Sequence, residues 1–479
     1  MVSPVIFWFR RDLRLSDHPG LIEALERGQG SVVATFIVDD RLAERSGPAR
    51  SAYLLATLGA LDDSLGARLV VRRGDPAQEL VTLARQTRAR EVLATRDFSP
   101  AGRARDDRVQ FRLRSQGLDI SFVDSPYVVA PGTLRTKSTT PFKVFTPFRR
   151  AWELEALPTP LPAPTGVTWT SAPSVGVEEL ARVALTHRPR YFADLSDDVP
   201  AFDQRVGEVG ARATLDDFLA RVDAYDVARN TPAVEGTSRL SPHLRFGTLH
   251  PRQVLDAVHG ATLRTSRGVE VFRSEICWRE FYADVLWHHP QSAWRDLQPS
   301  LENLRVDRDQ RARERFASWA RGETGFPLVD AGMRQLLNEG WMHNRVRMVC
   351  ASFLVKHLHL DWRWGARWFM WRLIDADVAS NQHGWQWTAG TGTDASPFHR
   401  VFNPTLQAER FDPEGAYVRR YVAELAHTPA PQCLQPGGAP GLFAPSDYVA
   451  PMIDAAAERY EALARYHEAR HDPSGALKA

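Results

Sequence analysis

Apolar residues in the first 131 positions fall into short runs separated by helical patterns. VIFWF (5–9), VVATFIV (32–38), LVVR (69–72), EVLAT (91–95) and ISFV (120–123) are β-rich and too short for helices. Between them, HPGLIEALERG and PAQELVTLARQTRA space their apolar residues three and four apart. Short continuous runs joined by helical crossovers predict a parallel sheet covered on both faces. No G-x-G-x-x-G follows any run, so a dinucleotide fingerprint is absent, although a small ligand can still bind at the carboxyl ends of such strands. From about residue 201 the period becomes helical, as in LDDFLARVDAY, VDAGMRQLLNEG, VRMVCASFLVKHLHLDW and AAAERYEALARYHEAR. That predicts an all-helical second domain large enough for its own core. Between 132 and 200 the pattern dissolves. Pro158, Pro160, Pro162 and Pro164 alternate there, which predicts a surface connector, partly polyproline-like. The expected organisation is an α/β domain over 1–131, a linker over 132–200 and a helical domain over 201–479.

Composition narrows the class. Hydrophobic residues make up 43% of the 479 and charged residues 25%, as in ordinary globular chains. No run approaches the ~18 apolar residues of a membrane span, and the N-terminus lacks a signal-peptide layout. Cys277, Cys350 and Cys433 are too scattered for a disulfide framework or a zinc site. A reducing, cytoplasmic home and a monomer without membrane contact are expected. The formal net charge is +2, so a polyanionic partner must meet a local patch rather than the field of the whole molecule. Tryptophan says more. Eleven of the fourteen lie between Trp278 and Trp387, which implies either an aromatic core or a site that stacks flat rings.

Four stretches carry candidate chemistry. In Glu235-Gly236-Thr237-Ser238-Arg239-Leu240-Ser241, Thr and Ser precede a helical pattern; they can cap it plainly or help its free N–H groups hold phosphate. Glu275 and Trp278 share a helical face with Tyr282, an arrangement suited to a heteroaromatic ring, or simply a half-buried amphipathic helix. Asn344, Arg347 and Met348 lie on one face at offsets of three and four. Asn reads base edges, Arg pairs with carboxylate or phosphate, and Met offers a soft apolar contact. Finally, Asp375, Asp377, Asn381 and a Gly-broken Trp385-x-Trp387 resemble a polar-rimmed ring pocket. Metal binding by Asp375, Asp377 and His383 has no further ligands close by, and we expect none. G-x-S-x-G, P-loop, H-E-x-x-H and C-x-x-C are all missing, so the chemistry must come from a bound cofactor.

At these motifs the chain resembles the photolyase/cryptochrome family. The matching stretches are FWFRRDLRLSDHPGL (7–21), GTSRLSPHLRFG (236–247), WREFY (278–282), TGFPLVDAGMRQL (324–336), GWMHNRVRM (340–348), SNQHGWQWTAGTGTDASP (380–397) and FNPTLQ (402–407). The resemblance is closest to the class I branch that repairs cyclobutane pyrimidine dimers. It implies a Rossmann-like α/β antenna domain and a helical domain holding U-shaped FAD, active in its reduced anionic form. Tyr225, Thr237, Ser238, Arg239, Leu240, Ser241 and Phe272 would hold the cofactor. Arg347 and Asp375 would pair beside its ring, with Asp377 close by and Asn381 at N5. On the substrate side, Trp278 and Trp387 would flank a flipped-out dimer in damaged DNA. Glu275 and Asn344 would bond its base edges, Met348 would pack on it, and Arg229, Arg345 and Gln407 would meet the DNA backbone. Flipping a damaged, poorly stacked base costs less than flipping an intact one. The implied reaction is light-driven: excited FAD lends the dimer an electron, the ring splits and the electron returns. A blue-light receptor or a six–four photolyase is the alternative. Six–four enzymes usually place paired histidines at the pocket, whereas here Trp278 holds the stacking position.

Two departures from the family pattern stand out. Trp385 and Trp362 match the first two members of the family's electron relay, but the third position holds Asp309. A route Trp385–Trp368–Trp319 is the alternative exit. The second departure concerns the antenna. Folate-binding members place Asn-Glu before an R-A-R-D segment, whereas Ala101-Gly102 precede Arg103–Asp106 here. The run Asp97–Arg103 is more similar to members that bind 8-hydroxy-deazaflavin, so that chromophore is expected rather than methenyltetrahydrofolate.

Overall fold

The computed structural model describes residues 3–43, 45–177, 205–261, 266–394, 400–436 and 447–471. Five strands form a parallel sheet in the order β3-β2-β1-β4-β5: β1 (Val5–Phe9), β2 (Ser31–Val38), β3 (Val70–Arg73), β4 (Glu91–Thr95) and β5 (Asp119–Val123). Every residue of β1 is buried, because helices cover both sheet faces. Phe7, Phe9, Val32 and Ala34 pack on one side with Tyr53, Leu58 and Leu61 of the helix Pro48–Ser64. Ile6, Trp8, Val33 and Val92 pack on the other with Leu80, Val81, Val109 and Leu113, from the helices Pro76–Thr87 and Pro100–Arg114. Period-two alternation sends successive residues of each strand to opposite cores.

Part of the expected connector is ordered structure. Phe145–Trp152 is a helix packed on the helix Arg267–His288, and Thr168–Trp169 forms β6, parallel to the start of β2. Residues 178–204 lie outside the described residues, as does the end of the 380–397 motif.

The helical half has two cores. One gathers Trp319, Met333, Val346, Phe353, Trp368 and Trp385; the other gathers Phe145, Phe148, Phe218, Phe272, Ile276 and Phe281. Trp319, Trp362, Trp368, Trp371 and Trp385 are buried core, whereas Trp278 and Trp387 are half-buried.

The loop following β1 locks the two halves together. Asp17, fully buried, accepts from Arg252 Nε at 3.2 Å, and Arg252 also reaches Asp124. Arg14 Nη1 donates to the Gly247 carbonyl at 3.2 Å, and Leu15 N donates to Glu208 at 2.7 Å. Gly247 has a φ of +68°, and a Cβ there would lie 1.9 Å from the Arg11 carbonyl oxygen, so only glycine permits this approach.

Four buried histidines make the helical half acid-sensitive. Burial pushes His243, His357 and His383 down to about 4. Burial, with help from Arg345 and Arg239, pushes His343 to about 3. Each remains neutral in the fold, whereas in the unfolded chain it titrates near ~6.5. Its stabilising contribution is complete above that pH and is lost as pH falls toward 4, because only the unfolded chain takes up the proton. His383→Gln removes one such group while keeping a donor for Ser292. The loss of stability between pH 7.5 and 4.5, from urea midpoints, should therefore shrink by about 2–3 kcal/mol in the variant. Identical pH profiles would contradict this assignment.

Candidate active site

Asp375 lies just beyond the helix Trp362–Arg372 and draws three donors together. Arg347 reaches it through Nη1 at 3.2 Å and Nη2 at 2.8 Å, and Ser241 Oγ donates at 2.6 Å. Arg347 is itself steadied by Nε donation to the Met342 carbonyl at 2.8 Å. The sequence allowed Thr and Ser of the 235–241 loop to be caps. Instead Leu240 occupies the N-cap without a side-chain bond, and the Ser241 hydroxyl crosses to Asp375. Ser238 Oγ accepts from Leu240 N at 3.4 Å, and the Thr237 carbonyl accepts from Arg221 at 3.4 Å. Arg239 adopts a φ of +54°, which turns its guanidinium over Trp341 at 3.8 Å and toward Glu339. Tyr225 and Phe272 meet edge to face at 5.4 Å, both against Phe218.

The helix Val378–Ala389 carries the next group. Asp377 caps it by accepting from Ser380 N at 3.1 Å, while its other oxygen accepts from Arg11 at 2.6 Å. Burial alone would raise the Asp377 carboxyl, but Arg11, Arg245 and Arg279 outweigh it and hold the group at about 2. One turn on, Asn381 Nδ2 donates to the Ala366 carbonyl at 3.1 Å and to Gln382 at 2.8 Å. Its Oδ1 has no hydrogen-bond partner among the described residues. Asp375 and Asp377 are therefore each committed to arginines. His383 stacks instead on Tyr282 at 5.6 Å, and no metal-holding cluster occurs among the described residues.

A cleft of about 780 Å³ opens nearby, lined by Asn230, Arg345, Met348, Trp387, Arg400 and Gln407 among others. It unites four of the residues expected on the substrate side. Glu275, Trp278 and Phe272 share one face of the helix Arg267–His288, at i, i+3 and i+6 from Phe272. Asn344, by contrast, is exposed at the first position of its helix. Trp278 lies flat on Phe145 at 3.7 Å with 8° between the rings. Arg229 Nη1 donates to Glu275 at 2.6 Å, and Arg345 Nη2 donates to Asn230 Oδ1 at 2.5 Å.

Trp385 is buried, and its six-membered ring rests on Gly365, where a Cβ would stand only 2.1 Å away. Among the described residues its ring meets Phe369 at 5.0 Å and Trp319 at 6.1 Å. Phe316 touches both Trp319 and the half-buried Trp364, each at 5.7 Å. Trp362 Nε1 donates to Asp296 at 2.8 Å, and the Trp368 ring lies beneath Arg372. Asp309, at the position of the missing relay member, caps the helix Gln310–Arg321 by accepting from Ala312 N.

Known proteins share both halves of this fold. A family model described as DNA photolyase covers residues 5–165, and one described as the FAD binding domain of DNA photolyase covers residues 272–468. The chain is 40% identical to a deoxyribodipyrimidine photo-lyase of Agrobacterium fabrum, over 97% of this chain and 98% of that one. It belongs to the DNA photolyase family. Among solved structures it is similar to a bacterial class III photolyase from Agrobacterium tumefaciens, with a TM-score of 0.89, 38% identity and 98% of both chains covered. It is also similar to a Synechocystis cryptochrome, with a TM-score of 0.84, 29% identity, and 96% of this chain and 98% of that one covered.

The photolyase fold contains a second cavity, of about 730 Å³, where the strand order reverses between β1 and β4. Trp8, Phe9, Ile37 and Asp97 line it from the sheet, and Arg245, Met370 and Asp377 line it from the helical half. A Cβ on Gly102 would stand 2.1 Å from the Asp97 carboxyl carbon, so any larger residue here would displace that carboxylate. Burial opposes ionisation of Asp97, but Arg105, Arg11 and Arg10 keep it well below the usual carboxylate range. Arg10 Nη2 is buried and has no partner among the described residues.

Sequence reasoning missed several residues of this photolyase site. Phe145 lies in the connector, far along the chain from the indole it backs, and only the aromatic FKVFTPF run hinted at packing there. Arg11 stood inside a matching motif but had no assigned role. Asn230 and Phe411 carry no local signal at all; the contacts of Arg345 reveal them.

Proposed function

We propose that this chain repairs cyclobutane pyrimidine dimers in DNA under blue or near-ultraviolet light. The observation that carries this reading is Trp278, a half-buried indole fixed flat on Phe145 and sharing a helical face with Glu275, beside an arginine-rimmed cleft. Phe145 sets the plane of the indole, so a flipped ring can stack against it without a rotamer search. Glu275 would accept from the base edge, Asn344 would add a second polar contact from the end of its helix, and Met348 and Trp387 would close on the ring. Arg229, Arg345 and Gln407 would bind the DNA backbone, which makes affinity fall with salt. His343 suits no acid role here: it caps its helix through Nδ1 and remains neutral. That favours the cyclobutane dimer over the six–four lesion.

The residues present fit FAD. Arg347 supplies positive charge where an anionic ring would lie, and Asp375 fixes its guanidinium in place. The free carbonyl of Asn381 suits an N–H donor such as N5–H of the reduced ring. Asp377, Ser241, Thr237, Ser238, Arg239 and Leu240 would hold the ribose and phosphates, with Tyr225 and Phe272 as an aromatic wall. FAD, when bound, supplies one electron to the dimer under light and recovers it once the ring has opened, with no net redox change. The protein's part is to orient the dimer, exclude water and hold charge.

For refilling the cofactor with electrons, the ring contacts favour Trp385–Trp319, continued by Phe316 to Trp364. Trp368 is not needed on that path, and Trp362 remains a parallel first step. For the antenna, the second cavity suits a planar, acidic ring. Aromatic walls and clustered arginines would favour the ionised hydroxyl of 8-hydroxy-deazaflavin, and Gly102 stands where the folate pattern has Glu.

Three experiments test these readings. On reduced, FAD-loaded protein, a dimer-containing oligonucleotide should lose its dimers in light but not in darkness. Glu275→Ala and Trp278→Ala should each lower repair or dimer affinity by about tenfold or more while FAD stays bound. Retained dimers in the light would transfer the chain to the receptor reading. Photoreduction should slow in Trp319→Phe and stay at the wild-type rate in Trp368→Phe; the reverse order would restore the Trp368 route. A chromophore released by mild denaturation should absorb as a deazaflavin, and a folate spectrum would overturn that choice.

A further inference from the structure

Both arginines expected at the DNA backbone are already engaged by residues of the recognition site. Arg345 is held by Asn230 at 2.5 Å and lies over Phe411 at 4.6 Å. Arg229 is held by Glu275 at 2.6 Å, in a pair whose side chains are only 20% and 31% exposed. The second pairing is unusual in its consequences, because each partner has a different part of the DNA to bind. Arg229 suits a phosphate, whereas Glu275 suits a base edge.

We propose that the Arg229–Glu275 pair is a specificity-determining lock that penalises undamaged DNA. The proposal rests on the roles assigned above to these two residues. A backbone phosphate from any duplex can draw Arg229 away. Glu275 is then left as a partly buried carboxylate without a donor, a state that costs free energy. Stacked, paired bases cannot satisfy it, because their N3–H groups are held in Watson–Crick pairs. A flipped-out thymine dimer offers those N3–H donors directly. With damaged DNA the exchange of partners is complete: Arg229 trades carboxylate for phosphate, and Glu275 trades guanidinium for base edge. With undamaged DNA only the first half of the exchange occurs. Discrimination then comes from a charge left unsatisfied, which is how a polar site rejects a partner lacking the matching group. Arg229 is thereby a residue of selectivity as well as of affinity.

A double-mutant cycle on the FAD-loaded full chain, in darkness and at fixed salt, tests the lock. Affinities for undamaged and dimer-containing duplexes are read by fluorescence anisotropy, with the flavin absorbance confirming the folded holoprotein. Glu275→Gln keeps an acceptor for the base edge but removes the negative charge that holds Arg229. Undamaged DNA should then bind about tenfold tighter, while dimer affinity changes by only a few-fold, so the ratio between them collapses. In an Arg229→Gln background the same Glu275→Gln change should give no gain for undamaged DNA. Glu275→Ser supplies a second route to the released arginine and should tighten undamaged DNA in the same way. A gain of equal size with and without Arg229 would reduce the effect to removal of a negative charge and overturn the lock. Unchanged affinity for undamaged DNA in both Glu275 variants would overturn it as well. Repair by the wild type in light is read separately: if dimers are cleared and the cycle fails, only the lock falls.

Discussion

The loop Arg10–His18 leaves the central strand and carries its charged side chains into the helical half. Arg11 meets Asp377, Arg14 meets the Gly247 carbonyl, and Asp17 meets Arg252. Charges this deeply buried survive only with partners, so the pairs fix the spacing and angle between the halves. An apolar joint of equal area could slide by fractions of a side chain. This one cannot, because any slip leaves an arginine or aspartate unpaired. The second cavity, walled by both halves, inherits its shape from that constraint. Arg10 and Arg11 of the loop line the second, aromatic cavity, and Asp377, also in its wall, caps the helix that carries Asn381, Trp385 and Trp387.

A second constraint comes from the helix Arg267–His288. One face carries Phe272 into the core and sets Glu275 and Trp278, both half-buried, beside Arg229 and Phe145. The opposite side is pinned to the connector: buried Glu280 accepts from Val128 N, Val129 N and Trp152 Nε1, and Asp284 accepts from Gly132 N. Burial raises the Glu280 carboxyl despite these donors. Those bonds draw the connector over the helix, and Phe145 arrives against Trp278 as a result. The connector helix therefore fixes the plane of the Trp278 indole.

Tight backbone approach sets the remaining geometry. Gly365 admits the Trp385 indole against its own helix, and Gly102 admits the Asp97 carboxylate beside the second cavity. In both places an ordinary side chain would force an aromatic ring or a charged group out of position. These glycines gave no hint of that role in the sequence, since neither marks a turn.

By itself the sequence determined the two architectures, because burial periodicity is local. Runs such as VIFWF could only be strands buried on both faces, and the later repeats of three and four could only be helices. It also determined the inventory of the site: Asp375 with Arg347, Glu275 with Trp278 and the Trp385-x-Trp387 pair each lie within one or two segments whose residue types suit a ring and its phosphates. Only the tertiary structure decided how that inventory is connected. Ser241 serves Asp375 rather than its helix end, Trp385 leans on Phe369 and Trp319, Arg229 is held by Glu275, and Phe145 and Arg11 enter from distant segments. Such contacts join residues far apart in the chain. They depend on how helices pack and how buried charges find partners, and neither leaves a periodic trace along the sequence.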